Sequence, residues 1–204
     1  MSKRWFTADI HANHANICIY CNRPWLRPGD LGPDRKWVSQ EAASACAERM
    51  NAGLTREINM RVKPGDRVIH VGDFATKGKV NGIPGLSGSY TEFLSGLNGT
   101  WSLLEGNHDK QGKVKTIGKH LFCHLGGFPV FVSHLPTDNE NQDPLLIDYV
   151  RRACAFAICG HVHDAWTVKT CAGIVNINVG VDVHKYRPIS DDEVLGIYTK
   201  ETRK

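Results

Sequence analysis

The chain has 204 residues, with 25 Lys+Arg against 21 Asp+Glu, a formal charge of +4 and 41% apolar content. That length suits one domain spanning 1–204 with a sizeable core, and the balance of apolar and charged residues excludes wholesale disorder. No apolar run approaches the roughly 18 residues of a membrane-spanning helix, and the mild charge permits anionic partners without the basic run of a nucleic-acid arm.

In chain order, the first strand is expected at 4–8, where Trp5 and Phe6 precede Asp9 and His11. An acidic residue and a histidine arrive before any signal-peptide core can form, so the chain is expected in the cytoplasm. A helix follows over about 39–61, with Ala42, Cys46, Met50, Leu54 and Ile58 on one face and Pro64 as its stop. After a strand at 67–71, a short helix near 89–97 spaces Tyr90, Phe93, Leu94 and Leu97 helically and ends at Asn98-Gly99. Strands at 100–104 and 129–133 come next. A third helix starts at Asp143-Pro144, with Asp as N-cap and Pro in the first turn, and is expected to bury Leu145, Leu146, Tyr149 and Val150. Further strands are expected at 155–159, 166–170, 174–178 and 194–199. Strands alternating with helices predict α/β layers, and the strand-rich C-terminal region predicts mixed sheet.

The seven cysteines, Cys18, Cys21, Cys46, Cys123, Cys154, Cys159 and Cys171, are odd in number and scattered. A disulfide framework is not expected in such a chain. Cys18-x-x-Cys21 offers half a zinc site, but no second pair stands at suitable spacing, so buried free thiols are expected.

The informative pattern is positional. Trp5-Phe6 leads to Asp9-Ile10-His11, and Val68-Ile69-His70-Val71 leads to Gly72-Asp73. Leu103-Leu104 leads to Gly106-Asn107-His108-Asp109, Val130-Phe131-Val132 to Ser133-His134, and Phe156-Ala157-Ile158 to Gly160-His161-Val162-His163. In open α/β sheets the carboxyl ends of strands are where ligands bind. Residues i and i+2 of extended chain share a side, so Asp9 and His11 are expected to face one ion, and His161 and His163 likewise. Glycines before Asp73, Asn107 and His161 let the backbone approach closely. Imidazole, carboxylate and one amide suit Mn²⁺, Fe²⁺ or Zn²⁺ better than Ca²⁺ or a thiolate-loving ion. Seven donors, Asp9, His11, Asp73, Asn107, His134, His161 and His163, are too many for one cation and suit two sharing a carboxylate, for which Asp73 is chosen.

The ordered set Asp9-x-His11, Gly72-Asp73, Gly106-Asn107-His108-Asp109, His134 and Gly160-His161-x-His163 resembles the calcineurin-like metallophosphoesterase superfamily. His14-x-Asn16-Ile17, Cys21-Asn22-Arg23-Pro24-Trp25, Asn178-Val179-Gly180-Val181-Asp182 and Tyr186-Arg187-Pro188 are similar to its small bacterial and phage members. The resemblance implies a two-layered mixed β-sheet sandwich flanked by helices. It implies that Asp9, His11, Asp73 and His163 hold one cation, and that Asp73, Asn107, His134 and His161 hold the other. It further implies that His108 is the catalytic imidazole near the leaving group, oriented by Asp109. Thr76 and Lys77 stand where protein phosphatases carry Asp and Arg, which weakens a phosphoprotein reading and leaves a phosphate contact by Lys77 open.

Two cations against two carboxylates leave a net positive site, so the expected substrate is a phosphate ester, with diesters preferred. A water between paired cations becomes the nucleophile near neutral pH, and no protein nucleophile is needed. Substrate contacts are expected from His14, Asn16, Arg23 and Lys77. His14 and Asn16 either line the pocket or cap a helix, and Asn22-Arg23-Pro24 is either a contact loop or a turn. His70, His120, His124 and His184 lack motif context and are read as structural. Lys110, Lys113, Lys115 and Lys119 form a solvated face or a rim for nucleotides or nucleic acid. The alternatives to a phosphodiesterase are a nuclease and a catalytically silent scaffold. No membrane contact is expected and no protein partner can be inferred.

Overall fold

The computed structural model describes residues 2–76, 79–80, 83–84 and 89–203. Its elements begin with β1 (Arg4–Thr7), α1 (Asn16–Tyr20), α2 (Gln40–Arg61), β2 (Arg67–His70), β3 (Lys79–Val80) and β4 (Ile83–Pro84). Then come α3 (Tyr90–Ser95), β5 (Thr100–Leu103), α4 (Asp109–Gly112), β6 (His120–Leu125), β7 (Phe128–Ser133) and α5 (Pro144–Ala153). The chain closes with β8 (Phe156–Cys159), β9 (Val168–Cys171), β10 (Ile174–Asn178), a 3₁₀ turn at Val181–Val183, β11 (Ile189–Ser190) and α6 (Asp191–Thr202).

β1 buries both Trp5 and Phe6, which alternation sends to opposite faces. A strand apolar on both sides needs cover on both. Trp5 joins Met50, Leu54 and Ile58 of α2, whereas Phe6 joins Val130 and Val132 of β7 and Phe156 and Ile158 of β8. The outer face of β7 and β8 is apolar too, with Phe131 and Ala157 under Val150 of α5. The result is two mixed sheets packed face to face with helices outside. One sheet has the order β11-β1-β2-β5, the other β6-β7-β8-β10-β9, and β3 pairs with β4 in a small ribbon. β1, β2 and β5 run parallel, as do β7, β8 and β10, while β11, β6 and β9 are antiparallel edges. Parallel strands carry their carboxyl ends at a common edge, and that edge gathers the site.

The expected strands at 4–8, 67–71, 100–104, 129–133, 155–159, 166–170 and 174–178 all form, as does the helix after Ser39, whose hydroxyl accepts the Ala42 N–H at 3.2 Å. The segment 194–199 is helix, not strand. Ser190 and Glu193 form a reciprocal capping box that starts α6 and overrides the apolar run of Val194, Leu195, Ile197 and Tyr198. In α5 the inward stripe is Leu146, Ile147 and Val150, so Leu145 (81% exposed) and Tyr149 (54%) face solvent, against expectation. All seven cysteines are free, and Cys18 lies in the apolar cluster beneath α2. Among the described residues no helix is long and apolar enough to cross a membrane.

Candidate metal centre

Past the ends of β1 and β2 the two chains stay paired. Asp9 N–H donates to the Gly72 carbonyl (3.1 Å), His11 N–H to that of Asp73 (3.0 Å) and Ala12 N–H to that of Phe74 (2.9 Å). Within this stretch and in the loop after β8 the backbone is left-handed at Asp9 (φ 57°), His11 (52°), Asp73 (59°), His161 (72°) and His163 (47°). The i, i+2 pairs therefore converge through left-handed kinks, not through the strand alternation the sequence suggested. Such conformations cost non-glycine residues on the order of 1–3 kcal/mol each and persist only where surrounding structure enforces them.

Asp73 stands at the middle. Its Oδ2 lies 3.3 Å from His134 Nε2 and 3.6 Å from His11 Nε2, and its Oδ1 accepts the backbone N–H of His108 at 2.8 Å. Gly106 is required beside it, because a Cβ there would collide with the Asp73 carboxylate and amide nitrogen. Asp9 is fully buried and accepts the His161 backbone N–H at 3.0 and 3.1 Å. Donor atoms of Asp9, His11 and His163 lie within 4.8 Å of one another, as do those of Asp9, Asp73 and His134.

The histidine tautomers follow from their outer partners. His134 Nδ1 lies 2.9 Å from the Val71 carbonyl, which can only accept, so Nδ1 carries hydrogen and a neutral ring offers Nε2 inward. His163 Nδ1 makes the equivalent bond, 3.0 Å to Asp182 Oδ2. Asp182 is held by the Arg23 guanidinium at 2.8 and 3.0 Å. A carboxylate behind a histidine fixes its orientation and raises its basicity as a ligand.

His11 Nδ1 and Nε2 and His134 Nε2 are buried without a hydrogen-bond partner among the described residues. Unpaired buried polar atoms are expensive, and a cation facing the two carboxylates would take up one inward lone pair from each ring. The ring centroids of His11 lie 5.2 Å from His163 and 5.3 Å from His108, and those of His134 and His161 are 5.3 Å apart. The donor set thus fits divalent cations of the Mn²⁺, Fe²⁺ or Zn²⁺ kind.

The bare site is electrostatically divided. Burial drives His11 well below its ordinary value and Asp9 up to about 6. Burial opposes protonation of His134 and His163 as well, but the carboxylates of Asp73 and Asp182 close to their rings outweigh it and raise them to about 9 and about 10. Burial acts to raise Asp73, yet the adjacent His134, followed by His11, brings it below the usual carboxylate range.

Of the expected residues, Asp9, His11, Asp73, His134, His161 and His163 come together, and Asn107 borders the same opening from an exposed position. His108 is half-buried beside His11. Asp109 does not orient His108: its buried carboxylate accepts the N–H groups of Asp73, Phe74 and Gly106, each at 2.8 Å, and so braces the Asp73 turn. Arg23 is not a substrate contact. It is 1% exposed, and its donors reach Asp182, the carbonyls of Asp9 (2.7 Å) and Ile10 (2.9 Å) and the Met50 sulfur. Asn16 is buried and its amide oxygen accepts the Trp37 indole N–H at 2.6 Å. His14 does join the cluster, 6% exposed, with its ring 5.6 Å from His11 and 6.3 Å from His108. Lys77 lies outside the described residues.

Two residues that hold the site were not assigned roles from sequence. Asp182 orients His163, and the Asn178 amide donates to the His163 carbonyl (2.8 Å) while its oxygen accepts the Gly180 N–H (2.8 Å). Both lie in the segment 178–182, whose likeness to relatives was the available signal. Cys21 also approaches His163 and Asp182, but the charge of Asp182 is already taken up by Arg23.

The family model described as a calcineurin-like phosphoesterase superfamily domain matches residues 50–194, more than half of the chain. The uncharacterized protein MJ1445 of Methanocaldococcus jannaschii is 28% identical over 205 residues, covering 98% of this chain and 93% of that protein. The crystal structure of the protein of unknown function AQ665 from Aquifex aeolicus has a TM-score of 0.63 at 21% identity, covering 97% of this chain and all of the other, and supports the fold. A solved archaeal phosphodiesterase has a TM-score of 0.40 at 13% identity, over 92% of this chain and 99% of its own.

Proposed function

The chain belongs to the calcineurin-like phosphoesterase superfamily, and from that premise we propose that it hydrolyses phosphodiesters with two divalent cations, Mn²⁺ the most suitable. The observation that supports this is Asp73 Oδ2 set between His11 Nε2 and His134 Nε2, two buried nitrogens with no other partner among the described residues. Asp9, His11, Asp73 and His163 would hold one cation, and Asp73, Asn107, His134 and His161 the other. Cations held so would neutralise phosphate charge and acidify a water for in-line attack.

The chain's own part is orientation and proton delivery. The His108 backbone is tied to Asp73 Oδ1, which sets its ring at the edge of the cluster, next to His11 and His14. From there a protonated His108 donates from a ring nitrogen to the departing oxygen. Such help is worth about 10²–10⁴-fold and matters most for a poorly leaving alcohol, which favours diesters. His14, kept neutral by burial with its pKa lowered to about 4, supplies a hydrogen bond to the same side without adding charge. Seven unpaired thiols suit the reducing cytoplasm.

The test is hydrolysis of bis(p-nitrophenyl) phosphate by the full chain with Mn²⁺, Fe²⁺ or Zn²⁺. On a dinucleoside monophosphate, whose alcohol leaves poorly, His108→Ala is expected to lower kcat by about 10²–10⁴-fold with cation stoichiometry intact, and on the nitrophenyl ester by much less. Asp73→Asn is expected to lose cations and turnover together. Full activity in Asp73→Asn would remove the bridging assignment, and no turnover in the parent chain with any of the three ions would remove the enzyme.

A further inference from the structure

Resting on the phosphodiesterase reading, we propose that the group kept on phosphorus after cleavage sits in a cleft of about 570 Å³ beside the Asn107–His134–His161 half of the centre, and that it is one organic unit of nucleoside size. The cleft reaches from Asn107, His134 and His161 to Leu135, Asn141 and Leu146. His11, His14 and His108 do not line it. They cluster beside the other half of the centre, with ring centroids 5.3 to 6.3 Å apart. The two ester arms of a bound diester therefore meet different surroundings. The arm that leaves faces the proton donor His108, and the arm that stays faces the cleft.

Size and charge define that second arm. A methyl group would leave most of the cleft empty, whereas pockets for small organic ligands run from about 300 to 1,000 Å³. Leu135 and Leu146 give it an apolar wall. The Gln142 amide is already committed, donating to Ser133 Oγ (3.2 Å) and the Leu135 carbonyl (2.8 Å), so it forms a fixed polar wall. Among the described residues that line the cleft, Lys119 is the one formal cation, set against Glu105 and Asp143. Glu105 pairs with Lys110 at 3.3 Å, and Asp143 caps α5 by accepting the Leu145 N–H at 2.9 Å. A polynucleotide running through this cleft would need several cations for its phosphates, and the lining offers a near balance of charge. The chemistry favours a sugar-and-base or similar arm with apolar and hydrogen-bonding faces.

Two esters with the same leaving group isolate the retained arm: thymidine 5′-(p-nitrophenyl) phosphate and methyl p-nitrophenyl phosphate, assayed on the full chain with Mn²⁺. The thymidine ester is expected to have the higher kcat/KM by at least about tenfold, the discrimination that filling an apolar pocket gives. Asn141→Trp, which narrows the cleft from an exposed loop, is expected to collapse that ratio, and Leu146→Phe serves if the first variant does not fold. A readout independent of turnover is methyl NMR, in which thymidine 5′-monophosphate shifts the Leu135 and Leu146 signals and methyl phosphate does not. Equal kcat/KM for the two esters, with no shift at these leucines, would overturn the cleft while leaving the reaction standing. No turnover of either ester would overturn the reaction, and the NMR titration would still decide the cleft. Preference for an oligothymidylate over the thymidine ester, falling steeply with salt, would overturn the single-unit arm in favour of a strand.

Discussion

The two halves of the centre are built on different supports. His163 is steered by a side chain, Asp182, which is itself locked to the buried Arg23; His134 is steered by a carbonyl, that of Val71. The first half is backed by the buried Arg23, which reaches the Met50 sulfur of α2, while the second borders the cleft. The lesson is one of division of labour. Behind His163 a charged pair is tolerated because Asp182 and Arg23 satisfy each other in the interior; behind His134 a backbone carbonyl does the same orienting work without a charge.

That contrast can be broken at Arg23. Arg23→Ala leaves the buried Asp182 with His163 in place of its full-time cation and is expected to destabilise the chain by about 3–5 kcal/mol in denaturant unfolding, far beyond an ordinary surface change. A loss under about 1 kcal/mol would mean the pair is not buried as described. Next in size, Asp182→Asn is expected to weaken Mn²⁺ binding by calorimetry about 10–100-fold, through loss of the charge behind His163. An unchanged affinity would reduce Asp182 to a partner of Arg23 alone.

Both halves respond to pH, in opposite ways with and without cations. His134 and His163 have folded pKa values of about 9 and 10, above the ordinary 6.5, so their protonation stabilises the metal-free fold below about pH 6.5 and this contribution fades as pH rises through 9 to 10. Asp9, raised from 3.8 to about 6 by burial, contributes at lower pH, loses that contribution as pH rises through about 6, and leaves the higher window to the two histidines. The Tm of the EDTA-treated chain is therefore expected to fall between pH 6.5 and 9.5, while Mn²⁺ affinity rises from pH 6 to 8 because the imidazoles must shed protons to bind. Affinity flat across that range would contradict the protonated resting state. The smallest effect belongs to the thiols: replacing Cys18 and Cys21 together with Ser is expected to leave cation stoichiometry unchanged in metal analysis, and loss of one equivalent would make Cys21 a ligand.

Much of this was legible because the donors come immediately after strands, and parallel strands deliver their ends to one edge. What stayed hidden was direction. A buried arginine and a solvent-facing one look alike in Asn22-Arg23-Pro24, and only the fold brings Asp182, 159 residues later, against it. Asp109 sits next to His108 in sequence, yet its carboxylate turns to the amides of Asp73, Phe74 and Gly106. The strand pattern at 194–199 lost to a cap four residues earlier, where a local hydrogen-bond pair outweighs periodicity.

The left-handed backbone at Asp9, His11, Asp73, His161 and His163 has a consequence for how such a chain can drift. At each of these places glycine would relax the main chain, so a search for thermal robustness alone would be drawn toward changes that erase donors. A cation held there would work against that pull, securing the tense conformation from within and becoming, in effect, part of the framework it visits.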